Sequence, residues 1–248
     1  AWTIPAFGLV LLAPVAGVLV PVGGLMSRLV DAETVRAVDV PRLLAALGAT
    51  IGLAAAGAAV SVLLALPIAV LASRYRGRIA AAIESVGVVG LALPGIVVGL
   101  SLVFFTLAVM PGLYQSALVL VFAYVVLFMP KAIGSMRTGL AAVPNTLSEV
   151  SRSLGQSPRA TWLRVTARLT LPSVGIGALL VAISIMKELP ATLLLRPTGI
   201  STLATELWSR TTVFEFGAAA PYAAALVVVA AIPAVALSGI RGVAKEQL

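Results

Sequence analysis

The chain has 248 residues, 60% of them hydrophobic and only 10% charged, with a formal net charge of +8 and a mean hydropathy of +1.12. A soluble domain carries about 25% charged residues, so this sequence lacks the polar side chains needed to cover a water-soluble globule. It contains no cysteine and no histidine, which excludes disulfide frameworks, thiol chemistry, imidazole metal sites and histidine acid–base catalysis.

Taken in chain order, six apolar segments are long enough to be read as membrane-spanning helices. They run from Ile4 to Met26, Leu43 to Ala72, Val86 to Met110, Gln115 to Ile133, Leu171 to Met186 and Gly217 to Ile240. None shows the two-residue alternation of a membrane β-barrel. Pro14, Pro67, Pro94 and Pro233 lie in or near these spans and predict kinks. The pairs Gly48/Gly52 and Gly95/Gly99 have the spacing that allows close helix packing. Ala1 is not an initiator methionine, and the first apolar stretch runs on as a full span rather than as a cleavable signal. A segment preceding Ala1 is expected in the gene product.

The charges between the spans set an orientation. One side collects Arg74, Arg76, Arg78, Lys131, Arg137, Arg152, Arg159, Arg164, Arg168, Arg241 and Lys245 against Glu149 and Glu246 alone. On the other side Arg28, Arg36, Arg42, Lys187, Arg196 and Arg210 are balanced by Asp31, Glu33, Asp39, Glu188, Glu206 and Glu215. Basic loops stay in the cytoplasm, so both ends and the segment of about 131–170 are expected there. The positive surplus is read as this cytoplasmic face, and no nucleic-acid partner is implied. With no repeat and no linker, residues 1–248 read as one all-α polytopic membrane unit.

The 131–170 segment carries two helix signals. Pro144-Asn145 opens a short helix with Asn145 as N-cap, and Gly155 closes it at C′. Ser157-Pro158 opens a second, with Ser157 as N-cap and Pro158 at N1. Leu147, Val150 and Leu154 share one face of the first; Trp162, Val165 and Leu169 share one face of the second. Such faces either pack under their own bundle or dock a partner, and periodicity does not choose between them.

The run Glu149-Val-Ser-Arg-Ser-Leu-Gly155, followed by Val165, resembles the EAA loop of binding-protein-dependent ABC importer permeases. That family's pattern is Glu-Ala-Ala, then Gly, then Ile and Leu-Pro at fixed spacing. Here Val150 and Ser151 replace the alanines. Ala167-Arg168 stands where Leu-Pro is expected, and Leu171-Pro172 follows one turn later, so the start of span five is expected to shift by a turn. The resemblance implies a six-helix type I importer permease whose loop forms a coupling helix on a cytoplasmic ATPase. Glu149, Val150, Ser151, Leu154, Gly155 and Val165 would form that contact, with Glu149 facing basic groups and Gly155 turning the chain. The alternative reading of Glu149 is complementing a helix dipole.

A finer resemblance, to ferric-iron permeases, rests on Arg74-Tyr-Arg-Gly-Arg78, Ala92-Leu-Pro-Gly-Ile-Val-Val98, Leu113-Tyr-Gln115 and Met186-Lys-Glu-Leu-Pro-Ala-Thr-Leu-Leu-Leu-Arg-Pro197. It extends from about Leu43 to Ala236 and matches the second half of a two-half permease, so the chain is either a fragment or a subunit that pairs with another half. The resemblance implies ATP and magnesium on the partner ATPase dimer, an extracytoplasmic binding protein, lipid around the spans, no cofactor in this chain, and a bacterial cytoplasmic (inner) membrane location. Permeases for 2-aminoethylphosphonate and thiamine share several of these features.

Lys187, Glu188 and Pro190 stand at the external end of span five. They are expected either to line the translocation path or its outer gate, or to form a Lys187–Glu188 pair at the interface. Glu206, Arg210 and Glu215 are read as solvated loop charges or as a contact for the binding protein. Tyr114, Tyr124 and Tyr222 are oxygen donors in principle but are expected to serve aromatic packing. No catalytic or metal-binding residue is expected. An ion-coupled carrier would place ionisable residues at mid-membrane, where these spans show almost none. An intramembrane enzyme would need an acid–base or metal constellation that this chain lacks.

Overall fold

In a computed structural model the chain folds as α1 (Thr3–Leu29), α2 (Val40–Arg74), α3 (Arg78–Val88), α4 (Gly95–Val109), α5 (Ala117–Ala141), α6 (Asn145–Ser153), α7 (Pro158–Met186), α8 (Pro190–Leu195), α9 (Leu203–Thr211) and α10 (Phe216–Lys245). The structure describes residues 3–31, 38–75 and 77–245, and side chains of 10, 12, 14–31, 38–75 and 77–237. Glu33, Arg36, Arg76 and Glu246 of the charge argument, and the side chains of Arg241 and Lys245, lie outside these. No strand occurs among the described residues.

The core is α2 packed against α5 and α7. Small residues make this possible: the buried face of α2 is Ala46, Thr50, Ala54, Gly57, Ala58, Ser61, Ala65 and Ala69. Without bulky side chains on that face, neighbouring backbones approach closely and van der Waals contact accumulates over the whole helix. Larger residues come from the partners, with Leu120, Tyr124, Ile133, Met136 and Leu140 on α5 and Val181 and Ile185 on α7 all buried. At Gly57 an added Cβ would lie 2.5 Å from Ile185 Cδ1 and 3.4 Å from the Tyr124 ring. The three central helices therefore meet at the middle of α2.

Of the glycine pairs, Gly95 and Gly99 pack as expected, with Gly99 against Ala191. Gly48 and Gly52 do not form a seam, since a Cβ at either would meet nothing within 4 Å. They share a side of α2 that its neighbours leave open.

The expected six continuous spans are not what folds. Val40–Arg74, Ala117–Ala141, Pro158–Met186 and Phe216–Leu237 are each long and apolar enough to cross a membrane. Span three is broken instead: Arg78–Ala92 and Gly95–Val109 are bent by 105°. Pro94 cannot donate a backbone hydrogen bond and holds Leu93 in an extended conformation before it. Gly90, beside the break, lies so close to the Val126 carbonyl that no Cβ fits, which lays this segment directly on α5. Span one is the 27-residue helix α1, Thr3–Leu29, of which the side chains of 3–9, 11 and 13 lie outside the described ones. α1 rests on α10.

Span five does not start at Leu171. Helix α7 is continuous from Pro158, and it absorbs the spacing departure through a π turn at Trp162–Thr166, where the Ala167 N–H reaches the Trp162 carbonyl. Likewise α5 continues to Ala141, so Lys131 and Arg137 are helical rather than loop residues. Only residues 142–157 lie between the two long helices.

Candidate functional site

Helix α6 lies at the end of the bundle where α2 and α5 finish and α7 begins. Pro144, with φ −61° and ψ 139°, is its N-cap, and no side chain caps the helix. Asn145 is therefore its first residue rather than its cap. The Asn145 amide oxygen instead accepts from the Arg74 guanidinium at the end of α2. At the other end, Gly155 adopts φ +81°. Its N–H reaches the Arg152 carbonyl at 2.9 Å, and the Gln156 N–H reaches Ser151 at 3.2 Å. This is the double bond pattern of a glycine-closed helix, at the position expected for Gly155. Ser157 then caps α7, accepting from the Ala160 N–H at 3.3 Å, with Pro158 as the first helical residue.

The expected contact residues divide between two sides of α6. The Ser151 hydroxyl is buried and shares a 3.0 Å hydrogen bond with Thr161, clamping α6 onto the start of α7. Val165 is half-buried beside it. Leu147, Val150 and Leu154 are 42%, 56% and 76% exposed, and Glu149 and Gly155 are exposed with them. Of the two fates open to this apolar face, packing under its own bundle is not the one taken in this chain. A cleft of about 450 Å³ separates Glu149, Ser148 and Arg152 from Val70, Arg74 and Tyr75 at the end of α2.

Lys187, Glu188 and Pro190 lie elsewhere. They follow the end of α7, but Ile185 sits against Gly57 halfway along α2, so this turn lies at mid-height along the bundle rather than at its outer rim, with Lys187 and Pro190 exposed. α7 ends early because the chain bends into α8, which packs on α4 and α5. Glu188 does not pair with Lys187. Its Oε1 accepts the Ala191 N–H at 3.0 Å, capping α8, and lies where a Cβ of Gly95 would fall, at the N-terminus of α4. Two positive helix ends thus hold the carboxylate. The Thr192 hydroxyl bonds the Glu188 carbonyl at 2.8 Å and the Tyr124 hydroxyl at 2.7 Å. From here the chain reaches the far rim, where Thr198 meets Gln115 at 3.1 Å.

At that rim Glu206 is 3% exposed, with its carboxylate 3.0 Å from Arg42 and 3.8 Å from Arg210. Arg210 also lies 3.6 Å from Glu215 and stacks over Tyr222. The reading of Glu206 as a solvated loop charge is thereby corrected: α9 buries it against α2 and α10. Sequence reasoning also missed Ser184, whose hydroxyl accepts from the Lys131 ammonium. The signal was present, because Ala132, Ile133, Met136 and Leu140 continue the apolar helical period past Lys131.

This bundle, with a broken span and a short helix across one end, has the fold of an ABC importer permease unit. Residues 61–243 match the family described as binding-protein-dependent transport system inner membrane component, and the chain belongs to that family. Among its relatives, it is 37% identical over 177 residues to the Fe(3+)-transport system permease protein FbpB 2 of Haemophilus influenzae, covering 71% of this chain and 35% of that protein. It is 29% identical over 147 residues to the molybdate/tungstate transport system permease protein WtpB of Pyrococcus abyssi, covering 59% of this chain and 58% of that one. The chain thus spans about a third of the first relative's length and somewhat over half of the second's. The fold is similar to a chain of the MetNI methionine ABC transporter solved in inward-facing conformations. The TM-score is 0.65 at 18% identity, covering 81% of this chain and 95% of that one.

Proposed function

We propose that the chain is the membrane-spanning half of an ATP-driven ferric-iron importer, passing cargo from an external binding protein to the cytoplasm by alternating access. The observation that carries the iron reading is the 37% identity to an Fe(3+) permease over most of this chain. A second permease half, supplied by the same polypeptide or another, completes the path. The α6 end faces the cytoplasm, in keeping with the basic residues that flank it, and both ends of the unit lie on that side of a bacterial inner membrane. ATP is hydrolysed on a separate ATPase dimer, and this chain contributes no catalytic group.

The mechanical link is α6. Leu147, Val150 and Leu154 present an apolar strip beside Glu149, while the Ser151–Thr161 bond and the Asn145–Arg74 bond tie the helix to α7 and α2. A displacement of the ATPase surface is therefore passed to two long core helices rather than lost in a loop. ATP biases the equilibrium because the closed ATPase dimer binds one arrangement of these helices better than the other. Lys187, Glu188 and Pro190 belong to the path, since their turn lies at the bundle's mid-height.

The test is uptake of radioiron by cells lacking this gene, complemented with the wild-type chain or Glu149→Lys. Restoration by the wild type alone is expected. Normal uptake in the uncomplemented strain, with no second iron importer present, would sink the iron reading. Wild-type uptake and substrate-stimulated ATPase activity in Glu149→Lys would sink the coupling role.

A further inference from the structure

Lys131 is an unusual residue for its position. It interrupts the apolar face of α5 between buried Leu127 and Ile133, and its ammonium reaches across to Ser184 on α7. Ser184 is adjacent to Ile185, which marks the middle of α2. The charge therefore sits at the bundle's mid-height, where an ionisable group is costly unless it faces a partner or a wet path.

Among the described residues that partner is missing. An ammonium has three donors, and the structure shows one protein acceptor, the Ser184 hydroxyl, together with the Phe128 ring face at 5.1 Å. Ser184 spends its own proton on the Leu180 carbonyl at 2.8 Å, so it meets Lys131 with a lone pair. No acid lies within ion-pair distance of Lys131 among the described residues. A second cation, Lys187, stands one turn beyond Ser184 at the end of the same helix and is exposed. Glu188, the acid nearest in sequence, is turned away to cap α8 against Gly95. The C-terminal dipole of α7 favours Lys187, but it does not reach across to account for Lys131.

Two unneutralised cations at this depth suit a negatively charged visitor. We propose that Lys131, Lys187 and Ser184 form an anion-binding station on the translocation path, and that cargo crosses as an anion. Resting on the iron reading, this means a ferric ion enclosed by carboxylate or phosphate oxygens, with net negative charge. Fe(III) is a hard ion that prefers such ligands, and a bare trivalent cation would be repelled by both lysines. Among the described residues no group of three acidic side chains is placed to take over a stripped ion.

The experiment uses the complete importer, with both permease halves, the ATPase and the binding protein, in proteoliposomes. Ferric citrate prepared with excess citrate is the probe, carrying radioiron and radiocarbon on the two components. Both labels are expected to accumulate together. Lys131→Met is expected to lower the uptake of both by about tenfold, the scale of one lost charge-assisted contact. Lys131→Arg should stay within about threefold, since it keeps the charge but changes its shape. Co-elution of the ATPase with each variant checks assembly. Iron entering without carbon, or an assembled Lys131→Met complex transporting at the wild-type rate, overturns the proposal. If the wild type carries no iron at all, the iron reading fails separately, and labelled molybdate and thiamine replace the probe. Molybdate uptake that falls in Lys131→Met retains the station, whereas uptake of cationic thiamine overturns it.

Discussion

Helices α6 and α9 are both nine residues long and lie at opposite ends of the bundle. Each carries one carboxylate, Glu149 and Glu206. Beyond that they differ in every respect that decides stability. α9 is capped by Thr202 in a reciprocal box with Thr205, and its Leu203 N–H reaches Thr50 at 2.9 Å. Its acid is buried between two arginines. α6 has no side-chain cap, and its acid is exposed beside three exposed apolar side chains. The far end pairs its acid with arginines of the same chain, although Glu206 Oε2 and Arg210 Nε make no hydrogen bond; the α6 end leaves its acid and its apolar strip exposed. That difference separates a helix that braces the fold from one whose remaining contacts lie on another molecule.

The comparison can be broken by unequal substitutions. The largest stability effect is expected from Glu206→Ala, which strands the partly buried Arg210 and costs about 1–3 kcal/mol. Glu149→Ala should change unfolding by less than about 0.5 kcal/mol. Thermal unfolding in detergent measures both, and equal losses would remove the distinction. A smaller loss, about 1 kcal/mol, is expected for Thr202→Ala in the same assay, because a cap bond disappears. The smallest is Leu154→Ser, within about 0.5 kcal/mol for the isolated chain. The same variant should nonetheless retain visibly less ATPase on affinity purification. Full retention would show that the exposed strip of α6 is not a contact.

Local signals were legible where the chemistry is local. Gly155 and Ser157-Pro158 behave as expected because a left-handed glycine and a serine cap need only their immediate neighbours. Asn145 was misassigned because its amide is claimed by Arg74, a residue from another helix. Span three was read as continuous because hydropathy does not register that Pro94 can turn the chain by 105°. Lys131 was placed in the cytoplasm because a charge after a proline resembles a span end, although the apolar period runs on beyond it.

By itself the sequence determined that the chain is an all-helical membrane unit, which way its charges are distributed, and that a short helix with an apolar stripe follows Pro144. These depend on composition, period and short-range caps, which every stretch of chain carries with it. Tertiary structure alone decided where each charge ended up. Glu188 went to two helix N-termini, Glu206 to a buried position between two arginines, and Lys131 to a serine at mid-height. The reason is that the cost of a charge depends on its surroundings, and these surroundings are assembled from helices far apart in the sequence.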